Sequence, residues 1–258
     1  MSDTAVYVYG VVRAASRPST RRVPAGVPAA TAPEAIPLGQ RLWLIGANVP
    51  LEMYGPGRLE ERLRDMAWVG EVAVAHEAVV EHFTRAKGAT VIPAKLFTMF
   101  STRDRAIADT RTRQREIADA ARRIAGCEEW GVRVVRKAAS AAGPAAATKP
   151  ASGAAFLAAK KRARDQKIES AHAVADAAAA AFDSLAGIAR DATTRPESPD
   201  GAAPPLLDAA FLVPIARRAK FQTAAKRAAH DCAAAGASLT LTGPWPAYNF
   251  ITPAGAGR

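Results

Sequence analysis

The chain has 258 residues, enough for one large domain or two small ones. Its apolar fraction is 49%, yet much of that is alanine and aromatics supply only 6%, so any core rests on small side chains with few large anchors. The formal net charge of +11 permits an acidic protein, a nucleic acid or an anionic membrane as partner and selects none of them. Cys127 and Cys232 have no companions at metal-ligand spacing, which argues against a zinc motif and fits idle thiols in a reducing compartment. No charged segment followed by an apolar run opens the chain, and no stretch reaches 18 apolar residues. The expectation is a soluble cytoplasmic protein with no membrane partner.

Residues 6–12, rich in Val and Tyr, read as a strand. Residues 13–40 carry Pro18, Pro24, Pro28, Pro33 and Pro37 and read as a linker. A buried strand follows at 42–45, then a turn at 55–57, then a short helix marked by Leu59, Leu63 and Met66. A second helix is predicted from about residue 71 to 87, with Val72, His76, Val79 and Phe83 on one face and Gly88 as its stop. Residues 90–92 and 95–97 read as short strands hinged at Pro93. Ser101 as cap and Asp104 as first-turn acid open a helix that runs to Ala125, with Ile107, Thr110, Gln114, Ile117, Ala121 and Ile124 inward and Gly126 at its end. Trp130, Val132 and Val134 alternate with Arg133 and Val135 in a closing strand. This half, residues 1–137, is predicted to be an α+β domain with its helices on one face of a sheet.

Residues 138–151, rich in Ala, Gly, Pro and Ser, read as an interdomain linker. A second domain, 152–258, opens with a helical stretch capped by Ser152 and reaching about Asp191. Its stripe of Ile168, Ala171, Ala175, Ala178, Phe182, Leu185 and Ala189 has heptad spacing suited to close helix packing. A helix that long spans roughly 57 Å, so a break at Gly187 or a projecting arm is expected. Residues 193–205 form a Pro-rich loop, 206–213 a strand, 214–235 a helix and 237–242 a last strand. Together with the strand near Trp130, the β-α-β-α-β order suggests a ferredoxin-like sheet.

Few residue groupings point to chemistry. His76, Glu77, Glu81 and His82 invite a metal reading, but the two histidines are about 120° apart on a helix rather than aligned, so His76 is expected to be a satisfied core or interface histidine. The run Lys160-Lys161-Arg162-Ala163-Arg164 is a basic helical face without the interleaved aromatics of a single-strand nucleic-acid platform. The arginines between 103 and 123 are partly neutralised by Asp104, Asp109, Glu116 and Asp119, two of them at i, i+4. No nucleophile elbow, phosphate loop or dinucleotide fingerprint occurs. The expectation is a non-enzymatic protein with no catalytic, metal or cofactor site.

The most informative segment is the tail, 239–250. Leu239 and Leu241 alternate with threonines as in a strand, and Gly243-Pro244-Trp245-Pro246 then stops both helix and sheet. Trp245, Tyr248 and Phe250 are displayed in one stiff stretch, either as a plug for the chain's own core or as a docking surface, the plug being expected for Trp245 or Phe250.

This tail resembles the C-terminal signature of the gas vesicle protein GvpF/GvpL family, a strand followed by Gly-Pro-Trp-Pro-x-Tyr-x-Phe. The likeness extends to Val6-Tyr7-Val8-Tyr9-Gly10-Val11-Val12, His76-Glu77-Ala78-Val79-Val80, Val91-Ile92-Pro93-Ala94-Lys95, Glu129-Trp130-Gly131-Val132-Arg133-Val134, and Gly153-Ala154-Ala155-Phe156-Leu157 leading into Lys160-Lys161. One departure is local: the family pattern continues Phe-Gly-Thr where this chain has Lys95-Leu96-Phe97-Thr98. The resemblance implies two α+β domains, the second ferredoxin-like, and a minor gas vesicle protein that works at the vesicle or in the cytoplasm. Its implied partners are the main hydrophobic shell protein and other minor gas vesicle proteins, with aggregation restrained and nucleation supported. Trp245, Tyr248, Phe250, Phe156, Lys160 and Lys161 are the candidate contacts. The alternative, prompted by charge, is a nucleic-acid-binding or regulatory module, and no nucleic-acid partner is expected under the favoured reading.

Overall fold

The computed structural model describes residues 3–137, 153–195 and 204–251. The predicted linker 138–151 lies outside the described residues. The described residues mix helices with antiparallel sheets, the α+β class. They divide into two compact units, Met1–Glu128 with Trp245–Arg258, and Glu129–Pro244. This division differs from the expected domains, 1–137 and 152–258, in placing the tail with the first unit.

The first unit begins with β1 (Thr4–Arg13), β2 (Glu34–Gly39) and β3 (Leu42–Pro50), followed by α1 (Leu51–Tyr54), α2 (Pro56–Arg62) and α3 (Met66–Thr84). Then come β4 (Thr90–Pro93), β5 (Met99–Phe100), α4 (Arg103–Thr112) and α5 (Gln114–Ile124). The sheet order is β2-β3-β1-β4, with β5 also paired to β1. β1 is buried from Ala5 to Val12, because both faces of the sheet are covered. On one face Tyr7, Tyr9 and Val12 pack with Val72, Val79 and Phe83 of α3. On the other, Val8, Val11, Leu44 and Ile92 face Thr110, Ile117 and Ala120 of α4 and α5. The expected one-sided sheet is therefore corrected. An unbroken apolar run in β1 was the sign of a strand buried on both sides.

Several local expectations also change. Part of the predicted linker is β2, which accepts Pro37 because β2 is an edge strand. The helix expected from Leu59 through Met66 ends at Arg62, and Asp65 caps α3 by accepting from the amides of Ala67 and Trp68. Residues 95–97 are a turn rather than a strand. Phe97, at the place of the family's glycine, has φ +60 and stacks on Trp68 at 5.7 Å. Its side chain keeps the strained conformation through ring packing. Thr102, not Ser101, caps α4 by accepting from the Arg105 amide, and the single helix expected to Ala125 breaks at Arg113.

The second unit contains β6 (Cys127–Arg136) from Glu129 on, α6 (Gly153–Ala186), β7 (Asp191–Thr194), β8 (Leu207–Pro214), a short 3-10 turn at Ile215–Arg217, α7 (Arg218–Ala235) and β9 (Ala237–Trp245) as far as Pro244. β7 is a strand the sequence reading missed, having given its residues to a helix end and a loop. It pairs antiparallel with β8, from Asp191 opposite Leu212 to Thr194 opposite Ala209. The sheet order is β7-β8-β6-β9. Trp130, Val132 and Val134 of β6 and Ala209, Phe211 and Val213 of β8 meet α6 and α7. The inward stripe of α6 is Val174, Ala178, Ala181 and Leu185, continued by Ile188 just past the helix end, which keeps the predicted spacing but moves it by part of a turn, leaving Ala175 and Ile168 outside. Phe211 bridges Phe182 and Phe221, each at 5.5 Å, and supplies the bulk that the alanines lack.

β9 continues through Pro244 to Trp245, beyond the predicted end at Thr242. As the last strand of the sheet order it tolerates the missing amide of Pro244, and the Gly243–Pro244 peptide is cis. Gly243 has φ +119, and a Cβ there would stand 2.8 Å from the Glu129 carbonyl oxygen. Gly236 ends α7 in the left-handed conformation at φ +94, with its amide bonded back to Ala233. Gly236→Ala is expected to lower stability by about 1 kcal/mol, and Leu185→Ala by about 2–5 kcal/mol, in urea unfolding followed by circular dichroism.

Candidate interaction surfaces

The tail forms a clip on the first unit. Tyr248–Phe250 make a 3-10 turn after Pro246 and Ala247, both buried. Phe250 is 3% exposed, and its carbonyl accepts from the Arg123 guanidinium at 3.1 Å. The Tyr248 hydroxyl donates to Glu77 Oε2 on α3 at 2.7 Å. Burial raises the Glu77 carboxyl above its usual range, and the Tyr248 hydrogen bond opposes that shift. Phe250 is therefore the plug. Trp245 is 44% exposed and remains a surface ring. Sequence reasoning missed Glu77 as the partner of the tail, since a glutamate beside an apolar helical stripe carries no sign of which distant hydroxyl it will meet.

Phe156, Lys160 and Lys161 lie on α6 in the second unit, whereas Trp245, Tyr248 and Phe250 belong to the first. Every described side chain from 154 to 170 is exposed, including Phe156 at 54%, Leu157 at 67% and Ile168 at 46%. Leu157 was not among the predicted contacts. Its signal was present all the same: a large aliphatic beside Phe156, in a helical stretch otherwise made of alanine and charge.

His76 is buried, as the sequence predicted. Its Nδ1 lies 2.9 Å from the Tyr7 hydroxyl, which accepts from the Phe97 amide and so has its own proton to donate. With Nδ1 accepting, the ring proton sits on Nε2, a buried nitrogen that senses the Ala94 backbone but has no partner of full hydrogen-bond geometry among the described residues. Tyr9 and Tyr54 anchor the same cluster to the loop before β2, Tyr9 accepting from the Val27 amide and Tyr54 donating to the Pro28 carbonyl. Burial lowers the His76 pKa to about 4, against a smaller opposing effect of the Ala94 backbone, and raises that of Tyr9 to about 12. His82 is half-buried and points its Nε2 at the Ser19 carbonyl, 3.4 Å away. Among the described residues no three His, Cys, Asp or Glu side chains are grouped to hold a metal ion.

A cavity of about 370 Å³ lies between the outer sheet face and α4–α5 of the first unit. Its floor is Val8, Leu44, Ile92 and Ile117. On its rim Arg113 pairs with Asp109 at 3.5 Å and with Glu116 at 3.7 Å, so these charges answer one another rather than a ligand.

The sequence matches the family described as Gas vesicle synthesis protein GvpL/GvpF over residues 5–252. The chain belongs to the GvpL/GvpF family. Gas vesicle protein L of Streptomyces sp. (strain CB03234) is 29% identical, with 96% of this chain and 93% of that protein covered. The crystal structures of GvpF from Anabaena sp. PCC7120 and from Microcystis aeruginosa each superpose with a TM-score of 0.66 at 13% identity. They cover 96% of this chain and 96% and 99% of their own chains, so the GvpF fold extends along nearly all of it. The family is one of gas vesicle proteins rather than enzymes. No helix among the described residues is long and apolar enough to cross a membrane.

The buried histidine gives this member of the family a defined acid response. Its folded pKa is below that of the unfolded chain, so the unfolded state binds more protons between about pH 6.5 and 4. Stability contributed by neutral His76 is present above that window and is lost as pH falls through it, by up to about 3 kcal/mol. Glu77 titrates with the opposite sign, its protonated form being favoured by burial. Urea unfolding at several pH values in a Glu77→Gln background is expected to show this slope, and the added His76→Gln change to flatten it. In the tail, Phe250→Ala is expected to cost about 3–5 kcal/mol at neutral pH, against less than 1 kcal/mol for Trp245→Ala.

Proposed function

We propose that this protein is a non-enzymatic assembly protein of gas vesicles, which binds the main hydrophobic shell protein and other minor gas vesicle proteins, restrains shell-protein aggregation and supports nucleation. Membership of the GvpL/GvpF family along residues 5–252 carries the reading. The physical sense is direct. An unassembled apolar shell subunit exposes a patch that aggregates, and a partner that covers it reversibly lowers the free concentration of sticky species. The surface offers suitable contacts: Phe156, Leu157 and Trp245 are large exposed apolar side chains, and Lys160 and Lys161 flank the first two on α6. Tyr248 of the first unit, half-buried, is a further contact, while Phe250 is occupied as core. The protein works in the cytoplasm and at the vesicle, without cofactor, nucleic acid or membrane.

We read the two compact units as domains and the second as ferredoxin-like. The support is its β-α-β-β-α-β order from β6 to β9 and the strand order β7-β8-β6-β9.

Purified shell protein is expected to be retained by the immobilised full chain. Retention should fall by about tenfold, equivalent to about 1.4 kcal/mol, when Trp245→Ala and Tyr248→Ala are combined. Circular dichroism establishes that the double variant is folded. Undiminished retention by a folded variant removes the tail from the interface. No retention by the wild-type chain removes the proposed activity.

A further inference from the structure

The exposed half of α6 has an order that a solvated basic face does not require. Leu157, Lys161, Arg164 and Ile168 follow one another at spacings of 4, 3 and 4, within about 60° of one another around the helix. They form one strip about 17 Å long, with an aliphatic side chain at each end and two cations between. Beside it, Phe156, Lys160, Ala163 and Lys167 repeat the spacing. Phe156 lies on the line of Val174, five turns further along, so this second strip prolongs the core stripe of α6 past the point where its cover ends. Segment 154–170 holds five cations, Lys160, Lys161, Arg162, Arg164 and Lys167, against two acids, Asp165 and Glu169. No ion pair satisfies Lys160, Lys161, Arg164 or Lys167 among the described residues.

We propose that this half of α6 is a docking face for an acidic amphipathic helix of a partner protein, which sets apolar side chains on Leu157, Phe156 and Ile168 and carboxylates between them on Lys161 and Arg164. The inference rests on the proposed assembly role only in assuming a protein partner, and it adds the partner's chemistry and the register of contact. Three other occupants fit less well. A second copy of this chain brings the same excess of positive charge to the same face, and like charges at coiled-coil flanks repel. A nucleic-acid backbone answers the cations but leaves the three large apolar side chains in water. An anionic bilayer accepts Leu157 and Ile168 but then draws Lys161 and Arg164, on the same strip, toward the acyl region. An acidic helix satisfies both parts, because helical partners read positions i, i+4, i+7 and i+11 as one seam.

The test uses the full-length protein and a synthetic amphipathic peptide of about 20 residues, roughly the length of the exposed segment, with a leucine seam flanked by glutamates. Fluorescence anisotropy is expected to show binding that weakens at least about tenfold in Lys161→Glu/Arg164→Glu, and likewise in Leu157→Ser/Ile168→Ser. A peptide with lysines in place of the glutamates should bind the charge-reversed variant and not the wild type. Hydrogen exchange supplies a second reading, with protection on peptide binding expected at 156–168. The proposal is overturned by equal affinity in all variants, by protection elsewhere, or by no binding of the acidic peptide. It is also overturned if duplex DNA, or vesicles of phosphatidylcholine and phosphatidylglycerol, bind more tightly than the peptide with the same dependence on Lys161 and Arg164. Retention of shell protein by the wild type and equally by both variants sinks this docking face alone. Peptide binding without any retention of shell protein sinks the assembly role alone.

Discussion

The first unit is completed by residues that come after the second. Phe250 fills its interior and Tyr248 reaches Glu77, a partner 171 positions earlier. Everything from Glu129 to Pro244 is therefore an insertion into the chain of the first unit. Such an arrangement needs the insertion's two ends to lie close together. The strand order supplies this, because β6 and β9 are neighbours in one sheet although they are its first and last strands in sequence. At Gly243 a Cβ would stand 2.8 Å from the Glu129 carbonyl oxygen, so entry and exit run side by side at a spacing that only glycine allows. Pairing β6 with β9 thus folds the second unit and also places Trp245 where the chain began the excursion.

Closing so long a loop costs entropy that grows only slowly with length. The contacts that hold the tail are mixed in kind and include a buried ring, a hydroxyl on a carboxylate and a guanidinium on a carbonyl. Burying the ring contributes about 1.5–3 kcal/mol, and a typical net hydrogen bond about 1 kcal/mol. The clip is held mainly by Phe250, with Tyr248 and Arg123 fixing its direction.

How much of this could be read from the sequence depended on whether a signal was local. The apolar alternation at Trp130, Val132 and Val134 and the stripe through Val72, His76, Val79 and Phe83 are periodicities within one element, and both face the cores. β2 and β7 were not legible, because Pro37 and the short Asp191–Thr194 segment look like loop until a neighbouring strand supplies hydrogen bonds. The two-sided burial of the first sheet is legible in β1, which lacks polar alternation from Ala5 to Val12. The candidate contacts divided for a similar reason. Trp245, Tyr248 and Phe250 are equivalent as letters, and only tertiary placement makes one exposed, one half-buried and one core.

The second unit shows what an alanine-rich sequence gains and gives up. Ala178, Ala181, Ala225 and Ala228 bring α6 and α7 together with little side-chain entropy lost. The same small residues bury little area, so Phe182, Phe211 and Phe221 hold the middle of the core in a short chain of rings. That core occupies the C-terminal half of α6 alone, where the inward stripe starts at Val174. The preceding turns contain no aromatic partner from β6, β8 or α7, and their charged side chains remain in water. A 34-residue helix anchored at one end by rings is thus long because its exposed turns are stable as helix, being rich in alanine, lysine and arginine, rather than because the sheet beneath requires them. Among the described residues no packing within their own unit accounts for these helical turns, which are ordered into one strip with apolar ends and a basic centre and a second that opens on Phe156.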